Sequence, residues 1–278
     1  MTVPTTEPPA PDPAPGPPGQ YHLPGILGSE WTKLLSVSST VWTLLITVLA
    51  GVGIGALVTS AQAARWADRG LAARLAFDPT RASLAGLLFA QLAIGVLGVL
   101  VVSAEYSTGT IRATFAATPR RPLVLVAKVV VFGSVSLVVG EAVALVAFVV
   151  GQRVLSGKTP TASLSDPAVV RAVLGGGLYL MALGLLALGV ACIVRHTAAA
   201  ISTFVGALFI LPIIADVLPS PYSDDLSRFL PQSIGTVMLS AHYHGSDSFG
   251  PWTGFAILCG YAAVALVAGG VLLVRRDA

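Results

Sequence analysis

Six stretches of this chain are too long, too apolar and too poor in charge to sit anywhere but across a lipid bilayer. They are residues 41–61, 82–104, 122–151, 172–194, 198–215 and 252–274. At 1.5 Å per residue, about 20 apolar residues cross the hydrocarbon layer as a helix. Five of the runs hold no Asp, Glu, Lys or Arg, and the third holds only Lys128 and Glu141. A soluble domain carries about 25% charged residues, whereas this chain of 278 residues carries 10%. Too little charge is present to coat a water-facing surface. Within a bilayer every backbone N–H and C=O must be satisfied internally, so runs of this length form helices. The fold class is therefore all-α, a polytopic membrane protein with six transmembrane helices.

The segments between the runs are of several kinds. Residues 1–28 read as a disordered Pro-rich tail, with nine prolines among the first 24. The tail has neither the basic n-region nor the apolar h-region of a signal peptide. Residues 29–278 form one membrane domain. Its first part, residues 29–38, reads as an amphipathic helix lying on the membrane, with Ser29 as N-cap, Glu30 in the first turn and Trp31 at the interface. Gly51, Gly53 and Gly55, and Gly175 to Gly177, mark places where helices approach closely. Residues 63–76 are consistent with a short amphipathic helix ending before Asp78-Pro79. Residues 217–251 form the longest connection, and its Ile234, Val237, Met238 and Leu239 call for something to pack against.

Few groups carry recognisable chemistry. Gly151 to Thr159 resembles a phosphate loop, but five residues rather than four separate its glycines, and no strand precedes it. His242, His244 and Asp247 make a weak metal pattern. No nucleophile or paired-acid motif is present, so an enzyme is disfavoured. No basic patch interleaved with aromatics points to nucleic acid. Cys192 and Cys259 both lie in apolar runs and read as structural thiols. Gln91 and Glu141 are the polar groups deep in the second and third runs. By the helical rise both lie about 13–15 Å from the same end of the bundle, so a hydrogen bond between them is expected. An intramembrane carboxylate is also a functional candidate by default.

The most specific wording lies at residues 105–121, EYSTGTIRATFAATPRR. A Thr-Gly-Thr turn precedes a stretch of about two helical turns that Pro119 closes. The pattern E-Y-x-x-G-T-I-R-x-T-x-x-x-x-P-R-R resembles the cytoplasmic loop of ABC transporter type-2 permeases. The resemblance implies that this loop is a coupling helix docking on a separate ATPase subunit, with Glu105, Gly109, Thr110, Ile111, Arg112, Thr114 and Arg120 as the coupling residues. It implies an elbow helix before the first span and short external helices between the last two. It also implies an exporter built from two permease subunits, as a homo- or heterodimer, and two ATPase subunits. ATP is then bound by the partner, and no cofactor by this chain. Lys and Arg divide eight against eight between the two sides, so the positive-inside rule does not set the orientation. The resemblance places both termini in the cytoplasm and the protein in the cell membrane. Two alternatives stay open from the residues alone: a secondary transporter using Glu141, and a membrane or immunity protein without a transport cycle.

Overall fold

The computed structural model describes residues 23–117, 120–243 and 249–275. Its helices include six long and apolar enough to cross a membrane: Ser38–Ala64, Pro79–Ser107, Arg121–Leu155, Pro167–Val194, Thr197–Val217 and Pro251–Arg275. We call these spans 1 to 6. Each is a few residues longer at one or both ends than its apolar core, because the flanking turns continue the helix into more polar sequence.

Span 4 is the hub. It packs on spans 2, 3 and 6, and its glycines let it do so. Gly175 lies on Met238, Gly176 on Leu87, Ala144 and Leu239, and Gly177 on Glu141. Spans 2 and 4 are 61% buried over their most apolar stretches, whereas spans 1 and 5 are 17% and 22% buried. Spans 1 and 5 thus give most of their surface to whatever surrounds the bundle. Around the hub lies one large cluster that includes Phe132, Tyr179, Leu180, Leu183 and Phe204.

Two irregularities meet each other. Span 1 carries a π-helical turn at Leu49–Ile54. Span 2 breaks between Leu84 and Leu87. Gly86, at the break, presses on the Gly51 and Gly55 backbone, where a side chain has no room. A π turn or a break in a helix needs such a cause, and here each backbone irregularity makes room for the other. Gly53, by contrast, has nothing near it and marks no close helix contact.

Two sequence expectations about the segments beside span 1 are corrected. The elbow helix spans Leu23–Ser36, so residues 23–28 belong to it rather than to the tail. Pro24 suits a first helical turn, and Ser29, expected as N-cap, lies inside the helix with its hydroxyl on the Ile26 carbonyl at 2.8 Å. The amphipathic helix expected at 63–76 is split. Span 1 ends at Ala64, residues 65–70 turn, and a helix of one turn follows at Leu71–Leu75. Gly70 is extended there and interrupts the helix. The phosphate-loop look-alike is mostly the end of span 3, which runs through Gly151 to Leu155.

The long connection before span 6 contains helices Tyr222–Ser227 and Pro231–Met238. The second buries Ile234 and Met238 against spans 4 and 6, with Leu239 following; Val237 is only partly covered. Asp78 and Arg171 tie this segment to the bundle. Asp78 caps the start of span 2 and accepts from Ala241 N at 2.9 Å. Arg171 donates to the Ser240 and Ala241 carbonyls. Residues 1–22, His244 and Asp247 lie outside the described residues, and so do the Pro-rich tail and most of the metal pattern. Among the described residues no cluster of three metal-binding side chains occurs.

Candidate functional site

The connection between spans 2 and 3 forms the turn and helix that its wording predicts. Gly109 takes φ +73°, a left-handed value that glycine adopts without strain. Thr108 and Thr110 hydroxyls pair at 2.9 Å across the turn. The helix that follows is Thr110–Ala117. Thr118 and Pro119 lie outside the described residues.

This helix is fixed to the bundle by one face. Ile111 and Phe115 are buried in a small cluster with Val124 of span 3 and Leu273 of span 6, with Tyr106 packed beside them. Arg121 stands 5.1 Å over the Phe115 ring and donates to the Leu273 carbonyl at 3.1 Å. Arg195 does the same for its neighbours, with its guanidinium 5.2 Å over Tyr106 and 2.7 Å from the Leu272 carbonyl. Two cations thereby bond two of the last four carbonyls of span 6, which have no partner within the helix. The opposite face of the helix, with Thr110, Arg112, Ala113 and Ala116, is exposed, as is Arg120.

Glu105 has a role that sequence reading did not assign. The structure gathers Glu30 and Lys33 of the elbow helix, Glu105 of span 2 and Lys128 of span 3 into one network. Lys128 Nζ lies 2.7 Å from Glu30 Oε2 and 2.8 Å from Glu105 Oε1. Lys33 Nζ lies 2.7 Å from Glu30 Oε1 and 3.2 Å from Glu105 Oε1, and reaches Thr114 Oγ1 at 3.4 Å. The Lys128 and Glu30 side chains are each only 5% exposed. Such charges persist in low dielectric only when matched and hydrogen-bonded, and here two acids face two bases. The Lys33 ammonium is shifted above its ordinary pKa: burial pulls it down, but the hydrogen bond it donates to Glu30 and the nearby Glu105 and Glu30 charges outweigh that. Both lysines are fully engaged, and so is Glu30. Glu105 Oε2 is buried without a partner among the described residues.

The network joins four parts: the elbow helix, span 2, span 3 and, through Thr114, the loop helix. A cavity of about 120 Å³ lies against it, walled by Leu34, Leu97, Val101, Val131 and Phe132. The signal that could have revealed it is Lys128 itself. An ammonium six residues into an apolar run demands a carboxylate, and Glu105 and Glu30 are the acids near that end of the bundle.

Gln91 and Glu141 do not meet. Gln91 accepts from the Tyr179 hydroxyl of span 4. Glu141 packs on Gly177 of the same span. Equal depth does not set direction around a helix. Tyr179 and Gly177 are two positions apart, hence about 200° apart around span 4, and the two polar groups reach it on different sides. Gln91 thus serves a buried Tyr–Gln bond.

Six apolar helices of spanning length, with a loop helix packed against one end, describe a multi-pass membrane protein. A family model described as ABC-2 family transporter protein matches residues 58–278, and the chain belongs to that family. It is accordingly a membrane permease of an ABC transporter, a transport subunit that is not itself catalytic. No curated protein matches the chain. The match begins within span 1, so the elbow helix that carries Glu30 and Lys33 precedes it.

Proposed function

We propose that this permease belongs to an ATP-driven exporter and receives the motion of a separate ATPase through the helix Thr110–Ala117. The observation that carries this reading is the two-sided character of that helix. Ile111, Thr114 and Phe115 hold it to spans 2, 3 and 6 and to the elbow helix, while Arg112, Ala113 and Ala116 face outward. Small residues beside one cation fit a groove on a partner. A helix held this firmly passes displacement to the bundle instead of absorbing it. Gly109 and Thr110 set its angle, and Glu105 ties the end of span 2 to the elbow helix. Arg112 and Arg120 supply the outward charge. On this reading ATP is bound by the partner and no cofactor by this chain. A second permease subunit, identical or related, completes the pathway, and the weakly buried spans 1 and 5 leave surface for it. The protein sits in the cell membrane with both termini in the cytoplasm.

The test starts from the full chain purified in mild detergent from its own membranes. A subunit carrying G-x-x-x-x-G-K-[ST] and ATP hydrolysis is expected to co-purify. Ala113→Trp, on the outward face, is expected to lower both at least about tenfold, the loss of one good contact, with the melting temperature of the permease unchanged. Full retention of the ATPase by Ala113→Trp removes this helix as the docking element.

Orientation has its own measurement. In a Cys192→Ala, Cys259→Ala background, a cysteine at Ala113 is expected to react with an impermeant maleimide only after permeabilisation, and one at Ser163 without it. The reverse pattern places the loop helix outside and ends the reading.

A further inference from the structure

At the end of the bundle away from the loop helix, a cavity of about 300 Å³ opens between spans 1 and 2, the turn at 65–70, the helix Leu71–Leu75 and the helix Pro231–Met238. Gln62, Arg69, Asp78, Arg81 and Thr236 are among its lining residues. Its charge does not balance. Asp78 is occupied: Oδ1 accepts from Thr80 N and Arg81 N at 2.8 and 3.1 Å, and Oδ2 from Ala241 N and His242 N at 2.9 and 3.4 Å. Its charge is also already faced by Arg171. Among the described residues the Arg69 side chain makes only ring contacts, 5.3 Å from the Phe77 centroid and 5.9 Å from that of Trp66. Arg81 makes no side-chain bond or ion pair among the described residues. Asp68, next to Arg69 in the chain, is not paired with it. Among the described residues, two guanidiniums therefore line one cavity without a side-chain hydrogen-bond or ion-pair partner, one of them standing over two aromatic rings.

We propose that this cavity binds a phosphate-bearing anion, held between Arg69 and Arg81. Planar guanidiniums match phosphate oxygens two at a time, and the contact of Arg69 with the Phe77 ring positions one of them beforehand. The surroundings favour a phospholipid headgroup as the source. Leu71 and Leu75, beside the cavity, are 74% and 79% exposed, and Trp66 lies on the same turn. Exposed leucines next to aromatic and arginine side chains describe a surface at the boundary of lipid and water. Acyl chains lie along the leucines while the phosphate reaches the arginines. The site stands at the far end from the loop helix and does not depend on the coupling reading.

The test uses the full-length protein, delipidated and reconstituted in phosphatidylcholine nanodiscs containing phosphatidylglycerol, with retained lipid read by native mass spectrometry. Wild-type protein is expected to retain phosphatidylglycerol over phosphatidylcholine. The double variant Arg69→Gln, Arg81→Gln is expected to lose that preference about tenfold or more, since bonds to a charged group are the strong ones. Arg65→Gln, on the same turn but outside the cavity, is expected to behave as wild type. Excess inorganic phosphate that leaves the lipid bound assigns the site to the headgroup; phosphate that displaces it assigns the site to a free anion. No preference in the wild type, retention by the double variant, or an equal loss in Arg65→Gln overturns the proposal.

Discussion

Lys128→Met is expected to strip the elbow helix from the bundle. The substitution keeps the length and apolar stem of the side chain but leaves Glu30 Oε2 without its 2.7 Å partner. It also removes one of the two lysines on Glu105 Oε1, while Glu105 Oε2 is already unpartnered. Removing one member of a buried ion pair costs about 3–5 kcal/mol, because the remaining charge stays desolvated. The elbow helix has little else to hold it: among its residues Ile26, Glu30 and Leu34 are buried. The cost therefore falls on its docking rather than on the six-span core. A lower melting temperature and rapid proteolysis after Leu35 are expected, with spans 2 to 6 still assembled. Lys128→Arg should recover part of the loss. Adding Glu30→Met to Lys128→Met should also recover part of it, because the second change removes the stranded charge. A melting temperature and a protease pattern matching wild type in Lys128→Met would show that the network contributes nothing to holding the elbow helix.

How much of this was legible in the sequence depends on the kind of signal. The spans were legible because hydrocarbon selects composition over some twenty residues at once, and no local detail can hide that. The loop helix was legible because Gly109 and its threonine neighbours are turn chemistry. The π turn in span 1 and the break in span 2 were not legible, since nearly all the residues around them are apolar and only the meeting of Gly51, Gly55 and Gly86 gives a reason. The elbow helix was placed too late because Ser29 is a good N-cap type with glycine on its N-terminal side, whereas packing of Ile26 on the bundle draws the start back to Leu23. The charge network was half legible. Glu30, Lys33, Glu105 and Lys128 were each visible, but the first and last are 98 positions apart, and pairing at that distance comes from topology. The Gln91–Glu141 bond failed for a similar reason: helical rise gave depth, while rotation around the axis was decided by span 4. Ile111 and Thr114 carry the same lesson, since belonging to the loop motif did not tell which residues face the bundle and which a partner.

The hub itself makes the most discriminating demand on sequence. Gly98→Ala is expected to destabilise the bundle, although alanine is the better helix former by about 1 kcal/mol. A Cβ at Gly98 runs into the Gly184 carbonyl oxygen of span 4 and lies 3.2 Å from the Phe132 ring of span 3. Neither obstacle yields easily. The carbonyl belongs to helix backbone, and Phe132 is fully buried, so its ring has no solvent to swing into. Overpacking of a tight core costs about 1–3 kcal/mol, and here it exceeds the propensity gain because spans 2 and 4 must separate along their length. Gly98→Leu should prevent assembly. Gly53 and Gly260 supply the control, since a Cβ at either meets nothing within 4 Å. Gly53→Ala and Gly260→Ala are expected to leave the melting temperature of the purified protein unchanged or slightly raised, and Gly98→Ala to lower it clearly. Equal melting temperatures for Gly98→Ala and Gly260→Ala would mean that spans 2 and 4 do not pack backbone to backbone at this level.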